Sequence, residues 1–589
     1  MLEASGKNGG QIGGAAPGSM EPIEVIGGRL GINSDEMVPF GRYVGKVDYE
    51  RVLGRLGGGK KNRAKIIDVT GITPTRFGEG KTTAVIGLLD GLWRLGKRTT
   101  AAIRQPSSGP TFNIKGSGVG GGLAQCVPSS ELSVRFTGDI DCITNAHNLA
   151  MVALTARMQH ERNYDDDVLA GRGLKRLNID SGRVQMKWVM DFCAQALRKI
   201  TIGNGGKMSG VPMESGFAIS ASSELMSILA VTSDLRDIRN RIGKIVVACD
   251  KNGGEVTTSD LEVDGAMSAW MLDTIKPNLA QTMENRPVFV HAGPFANIGI
   301  GQSSVIADRL GAQLGDYHIT ESGFGSDIGY EKFWNLKCRI SGLRPAAVVI
   351  VATIRALKMH GGGPAVRPGR NLSREYLEEN IGLVEKGCEN LAAHIDIVKK
   401  SGVTPVVCIN AFETDTKREV ETVRKFAEAH GALAAYSEHW AKGGGGAQEL
   451  AEAVVAACEE DDSKFAFLYG VKVPLGERIR RIATEIYGAD GVEYVGRAGE
   501  KLQELEAESD LKGYGTCVLK THLSLSHDAG IKGRPRDWRL PVTDFLIYRG
   551  ARLVVPVASN VELMPGTGSD PAFRRIDIDV DKGGIIGIS

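Results

Sequence analysis

Three features are scarce in this 589-residue chain, and each removes a class of function. Charge of one sign is scarce: 71 Lys and Arg against 70 Asp and Glu leave a formal charge of +1. That balance gives no general electrostatic reason to bind nucleic acid or an acidic membrane surface. Long apolar runs are absent, none reaching the roughly 18–20 residues needed to span a bilayer. Cysteine is sparse and scattered, nine residues with no CxxC pair, so neither a disulfide framework nor a zinc site is expected. Reduced thiols in a cytoplasmic protein fit that usage, and no metal-ligating cluster is expected elsewhere. Residues 1–20, MLEASGKNGGQIGGAAPGSM, lack the apolar centre of a secretory signal and read as a disordered tail.

What the chain has in quantity is glycine, 77 residues, concentrated in runs such as Gly120–Gly122, Gly361–Gly363 and Gly443–Gly446. Such runs between apolar segments suggest backbone that approaches a ligand closely. Short apolar stretches read as strands: Ile66–Val69, Lys244–Ala248, Val288–His291, Ala346–Ala352, Val403–Ile409 and Leu553–Val557. Segments of helical spacing lie between many of them, including Thr82–Leu95, Ser303–Leu314, Thr416–Ala429 and Gln448–Cys458. Alternation of this kind predicts an α/β, multidomain fold with a mostly parallel sheet. The Gly-, Pro- and Arg-rich stretch at Gly361–Arg370 reads as a linker. The expected division is a large nucleotide-binding domain at 21–370, a second α/β domain at 371–462 and a C-terminal α/β domain at 463–589.

The strongest local signal is IIDVTGITPTRFGEGKTT, Ile66–Thr83. A strand runs into a loop of small residues and then a helix, the arrangement a P-loop-like site needs. Backbone N–H groups and the helix N-terminus attract phosphate, the lysine reaches the outer phosphates, and the hydroxyl meets Mg²⁺. The ATP-binding candidates are Thr75, Gly78, Glu79, Gly80, Lys81 and Thr82. The first glycine of the GxxxxGK[ST] pattern is replaced by Thr75, and a glycine-capped helix start with a solvated lysine is the plainer alternative.

Several blocks together resemble the formate–tetrahydrofolate ligase family. They are TPTRFGEGKTT (Thr73–Thr83), RQPSSGPTFNIKG (Arg104–Gly116), GVGGGLAQCVP (Gly118–Pro128), FTGDI (Phe136–Ile140), GPFANI (Gly293–Ile298), TESGFGSDIGYEKF (Thr320–Phe333), VATIRALKMHGG (Val351–Gly362), CINAFETDT (Cys408–Thr416) and HWAKGGGGAQELA (His439–Ala451). They run in the family's order to the C-terminal MPG, Met564–Gly566. The resemblance implies an enzyme of one-carbon metabolism that makes 10-formyltetrahydrofolate from formate, MgATP and tetrahydrofolate through formyl phosphate. It assigns folate stacking to Phe412 and Trp440, and the acyl phosphate to Arg104 with Lys81. Gln105 and Asp139 are further catalytic candidates, Asp139 toward an amine proton or a cation. A monovalent cation and a homotetramer are also implied. Gly118–Gly122 is expected to lie against the nucleotide or acyl phosphate. His147, His291 and His360 are read as structural.

The chain departs from the family pattern near these positions. The family run REPSLGP reads RQPSSGP here, so Gln105 replaces a glutamate; HFTGD begins with Arg135; FDIT becomes FAIS with Ala218; and a proline becomes Arg76. A glutamine cannot act as a base or carry charge. The alternatives left open are a ligase with adjusted chemistry, a paralog using another small carboxylate or pterin, and a catalytically weakened nucleotide- or folate-binding protein.

Overall fold

The computed structural model describes residues 20–57, 64–366, 372–460, 464–581 and 583–588. Residues 1–19 of the expected tail, and the expected boundaries at 370 and 462, lie outside the described residues. The centre is a 12-stranded sheet. Its strands are β1 (Met37–Pro39), β2 (Gly45–Val47), β3 (Lys65–Gly71), β4 (Thr99–Ile103), β5 (Gly120–Gly121), β6 (Ala124–Val127), β7 (Asn278–Thr282), β8 (Pro287–Val290), β9 (Tyr317–Glu321), β10 (Pro345–Ala352), β11 (Thr404–Asn410) and β12 (Leu433–Ser437). The spatial order is β1-β2-β7-β8-β4-β9-β3-β10-β11-β12, with β6 joined to β7 and β5 to β6.

From β8 to β12 every pairing is parallel, and every pairing on the β1 side is antiparallel. The sheet is therefore mixed, where a mostly parallel one was expected. The reason is local: β7 and β8 are joined by the short turn 283–286, which can make only an antiparallel pair, whereas parallel neighbours need a long crossover. Strand β10, before the expected linker, pairs directly with β11, after it, in parallel. Smaller sheets of both kinds flank the large one.

The apolar runs are continuous because both faces of the parallel part are covered. Ile67, Val69, Val349, Val351, Val406 and Cys408 face one core. Their alternates Ile66, Val348, Ile350, Val407 and Ile409 face another, as the two-residue side-chain period of a strand requires. The first core is closed by helices α1 (Lys81–Arg94) and, from the far end of the chain, Gln448–Glu459. The second is closed by α3 (Ile354–His360) and α4 (Ile381–Lys400), joined by Val518, Phe545 and Val554 from the C-terminal part. Helix α2 (Asp139–Asn163) lies in a third core, with Ile143, Met151 and Leu154 buried. A short helix, α5 (His439–Lys442), follows β12.

Parallel strands end on one edge, so the loops after β3, β4, β9, β11 and β12 gather there. In open α/β sheets that edge is where ligands bind.

Candidate active site

The loop after β3 is held open by its own residues. Glu79 is buried, and its carboxylate accepts the Thr75 N–H at 2.7 Å and the Thr75 hydroxyl at 2.9 Å. Burial pushes the Glu79 carboxyl up, against the opposing pull of Lys81 and the Thr75 bonds. Gly80 precedes α1 with φ +76°, and a Cβ there would sit 2.5 Å from the Asn410 side-chain nitrogen. That nitrogen donates to the Glu79 carbonyl at 2.9 Å, tying the loop to the end of β11. Glycine at position 80 is thus required both by conformation and by space.

Lys81 and Thr82 begin α1. Burial lowers the Lys81 ammonium, Arg104 lowers it further, and Glu79 and Glu321 oppose. An arriving phosphate would favour its charged form. Thr82 donates its hydroxyl to Glu321 at 2.7 Å, and Arg104 donates to the other oxygen of the same carboxylate at 2.9 Å. Glu321 is buried, which raises its carboxyl, but Arg104, the Thr82 bond and Lys81 outweigh burial and hold it below the usual range. Arg104 is 27% exposed and its buried Nε has no partner among the described residues. It therefore keeps a donor beyond its ion pair. Glu321 is the group that the motif reading did not assign; it unites the loops after β3, β4 and β9.

The two aromatic candidates stand at neighbouring strand ends. The Ala411 N–H donates to the Ser437 carbonyl at 3.1 Å just where β11 and β12 finish. Phe412 is half-buried and follows directly. Trp440, on α5, is 55% exposed, far more than a core tryptophan would be. Its carbonyl accepts the Leu123 N–H at 2.8 Å. Gly122, at φ +59°, passes beneath: a Cβ there would lie 2.1 Å from the Trp440 carbonyl oxygen and 2.8 Å from ring carbon Cδ2. Within the glycine run expected against the nucleotide or acyl phosphate, Gly121 and Gly122 lie against this tryptophan.

Asp139 belongs to a different set of contacts. It is buried at the start of α2. Lys46 donates to one oxygen at 2.8 Å, and Asn278 and Thr137 donate to the other at 2.7 and 3.1 Å. Gln105 is buried, and its backbone N–H donates to the Ala292 carbonyl at 2.6 Å. Its side chain makes no hydrogen bond among the described residues, and with Arg135, Asp141 and Asp191 it lines a small cleft of about 20 Å³. Asp191 accepts the Ser108 N–H at 2.7 Å and the Ser107 hydroxyl; burial raises its carboxyl. Arg76 is exposed and donates to the Val366 carbonyl at 3.4 Å.

The three histidines are internal struts. His147 bonds the Lys187 carbonyl at 2.7 Å, His291 bonds Ser304 and the Thr274 carbonyl at 2.7 Å each, and His360 bonds the Thr73 carbonyl at 2.8 Å. Burial pushes all three down to about 4, so they are neutral at pH 7. All nine cysteines are free. Among the described residues, no group of three His, Cys, Asp or Glu side chains could hold a metal, and no helix is long and apolar enough to cross a membrane.

The profile of formate–tetrahydrofolate ligase matches residues 11–589. The chain belongs to the formate–tetrahydrofolate ligase family. The Dehalococcoides mccartyi (strain CBDB1) ligase is 58% identical over 569 residues, covering 97% of this chain and 95% of the relative. The ligase of Desulfotalea psychrophila is 57% identical, over 95% of this chain and all of the relative, and that of Thermodesulfovibrio yellowstonii 54%, over 97% of each. Gln105 and Arg135, two of the positions read from the sequence as departures, line one cleft. Ala218 lies elsewhere, buried in the short strand Phe217–Ile219 and paired with Val189.

Proposed function

We propose that this chain is an ATP-dependent ligase that joins formate to tetrahydrofolate, giving 10-formyltetrahydrofolate, ADP and phosphate. The observation that carries the reading is the convergence of Lys81, Thr82, Arg104 and Glu321 on one sheet edge, beside two ring-bearing strand ends. In this reading ATP lies on the loop Thr75–Thr82, with Gly78 and Gly80 supplying N–H groups and Lys81 meeting the outer phosphates. The hard oxygen donors Thr82 and Glu321 suit Mg²⁺, which commonly takes one or two protein oxygens and completes its shell with phosphates and water. When bound, the ion neutralises phosphate charge.

A formate oxygen attacks the γ-phosphorus and ADP leaves, forming formyl phosphate. Arg104 presents a planar fork to that anion, and Lys81 adds a second charge. The N10 amine of tetrahydrofolate then attacks the formyl carbon, phosphate departs, and the amine proton passes to it or to solvent. Phe412 and Trp440 hold the flat pterin by their faces. Asp139 already carries the Lys46 ammonium. We extend the reading to a homo-oligomer, a tetramer by resemblance, which light scattering on the purified protein tests.

The site assignments are tested by a pair of variants. Lys81→Ala is expected to abolish ATP turnover, and Trp440→Ala to weaken tetrahydrofolate binding while leaving the ATP KM within about twofold. Unchanged turnover in the first, or unchanged folate affinity in the second, removes the corresponding assignment.

A further inference from the structure

The VATIRALKMHGG block places one half-buried residue, Arg355, on a helix whose other members are buried. Arginine on a buried helix most often belongs to an ion pair, yet among the described residues no carboxylate oxygen lies within 4.0 Å of its nitrogens. Instead its guanidinium carbon lies 4.2 Å from the centroid of the Phe412 ring. One terminal nitrogen donates to the Thr414 hydroxyl at 3.1 Å, and the buried Nε has no partner among the described residues. The turn that carries the ring is held from its own side: the Phe412 N–H donates to Asp415 at 2.9 Å, and the Asp415 N–H returns to the Phe412 carbonyl at 3.0 Å.

We propose that Arg355 is a positioning residue for tetrahydrofolate: its guanidinium backs one face of Phe412, leaving the opposite face to the pterin. This rests on the stacking role given to Phe412 above. The physical case has two parts. A planar cation at this distance is attracted to the ring's negative face and fixes the ring plane. A ring fixed before the ligand arrives loses less freedom on binding, so the gain is in folate affinity and alignment and not in ATP binding. Asp415 supports the arrangement through charge: burial raises its carboxyl, and against the opposing pull of the Phe412 N–H and Arg355 it stands at about 6. The helix thereby links the β10 end of the sheet to the Phe412 ring.

The test is a double-mutant cycle of Arg355→Met and Phe412→Leu, with Arg355→Lys as the conservative variant. Initial rates are read against tetrahydrofolate and ATP separately, with melting temperatures measured alongside. Arg355→Met is expected to raise the tetrahydrofolate KM about tenfold and to leave the ATP KM within about twofold. Arg355→Lys should recover part of that loss, because it keeps the cation but not the plane. In the Phe412→Leu background, Arg355→Met should add less than twofold. A tetrahydrofolate KM unchanged by Arg355→Met, while Phe412→Leu raises it, overturns the positioning role alone. So does an equal rise in both KM values, or additivity of the two changes. A KM unchanged by Phe412→Leu overturns the stacking reading itself, and the positioning role with it.

Discussion

Replacing Gly122 by alanine adds a single methyl group at the most constrained point of the site. The backbone there has φ +59°, and the new Cβ would start 2.1 Å from the Trp440 carbonyl oxygen and 2.8 Å from ring carbon Cδ2. A left-handed conformation costs a non-glycine residue about 1–2 kcal/mol. Relieving an overpacked contact adds about 1–3 kcal/mol. The obstructing atom is a backbone oxygen that also accepts the Leu123 N–H, so neither side can yield without moving α5. The expected loss of stability is about 2–5 kcal/mol in total, read from chemical denaturation of the purified variant. The functional consequence is specific. A displaced Trp440 loses ring stacking worth about 1 kcal/mol, so the tetrahydrofolate KM should rise about fivefold while the ATP KM stays near its original value. The sequence alone suggested that this glycine run packs against the nucleotide or acyl phosphate. A variant whose ATP KM rises while its tetrahydrofolate KM does not would restore that reading and refute the one drawn from the structure.

Other perturbations test neighbouring parts of the account. Glu321→Gln removes the charge shared by Arg104 and Thr82, and turnover should fall about a hundredfold, equivalent to about 2.7 kcal/mol; wild-type rates would take Glu321 out of the site. Glu224, remote from the phosphate loop, is buried with one oxygen accepting the Gly550 and Ala551 N–H groups at 2.7 and 3.1 Å. Burial pushes its carboxyl up to about 8, against the pull of those bonds. The folded protein then keeps a proton that the unfolded chain releases near its ordinary value of 4.5. This group's contribution is therefore present below pH 4.5 and lost as pH rises toward 8. Glu224→Gln keeps the acceptor without the titration, so its stability advantage over wild type should grow between pH 5 and pH 8, as followed by thermal melts. A constant difference would contradict the shift.

How far the sequence could be read depended on where each signal lies. The buried parallel strands at Pro345–Ala352 and Thr404–Asn410 announce themselves because bulky apolar side chains fill both faces. The strands Thr99–Ile103, Tyr317–Glu321 and Leu433–Ser437 do not, since TTAAI, YHITE and LAAYS lack such a run even though the first two are wholly buried. In them the small or polar side chains are accommodated by partners from elsewhere: Thr100 and His318 bond each other at 2.8 Å. The strand, loop and helix from Lys65 to Arg94 were legible because their conformational demands sit within a few residues. Glu321 was not, because its partners lie 239 and 217 positions away. Asp139 stood out as a candidate, but its partner did not, because the Lys46 ammonium is 93 residues upstream. Local pattern reports the backbone's needs; pairing across the sheet edge becomes visible only in three dimensions.

The most direct test of the central claim is an end-point assay with purified protein, MgATP, formate and tetrahydrofolate. Product is read as methenyltetrahydrofolate absorbance after acidification, with each substrate omitted in turn. The account predicts product only when all three are present, despite Gln105 and Arg135. Protein that binds ATP but forms no product from formate would contradict it and point to a different small carboxylate or acceptor.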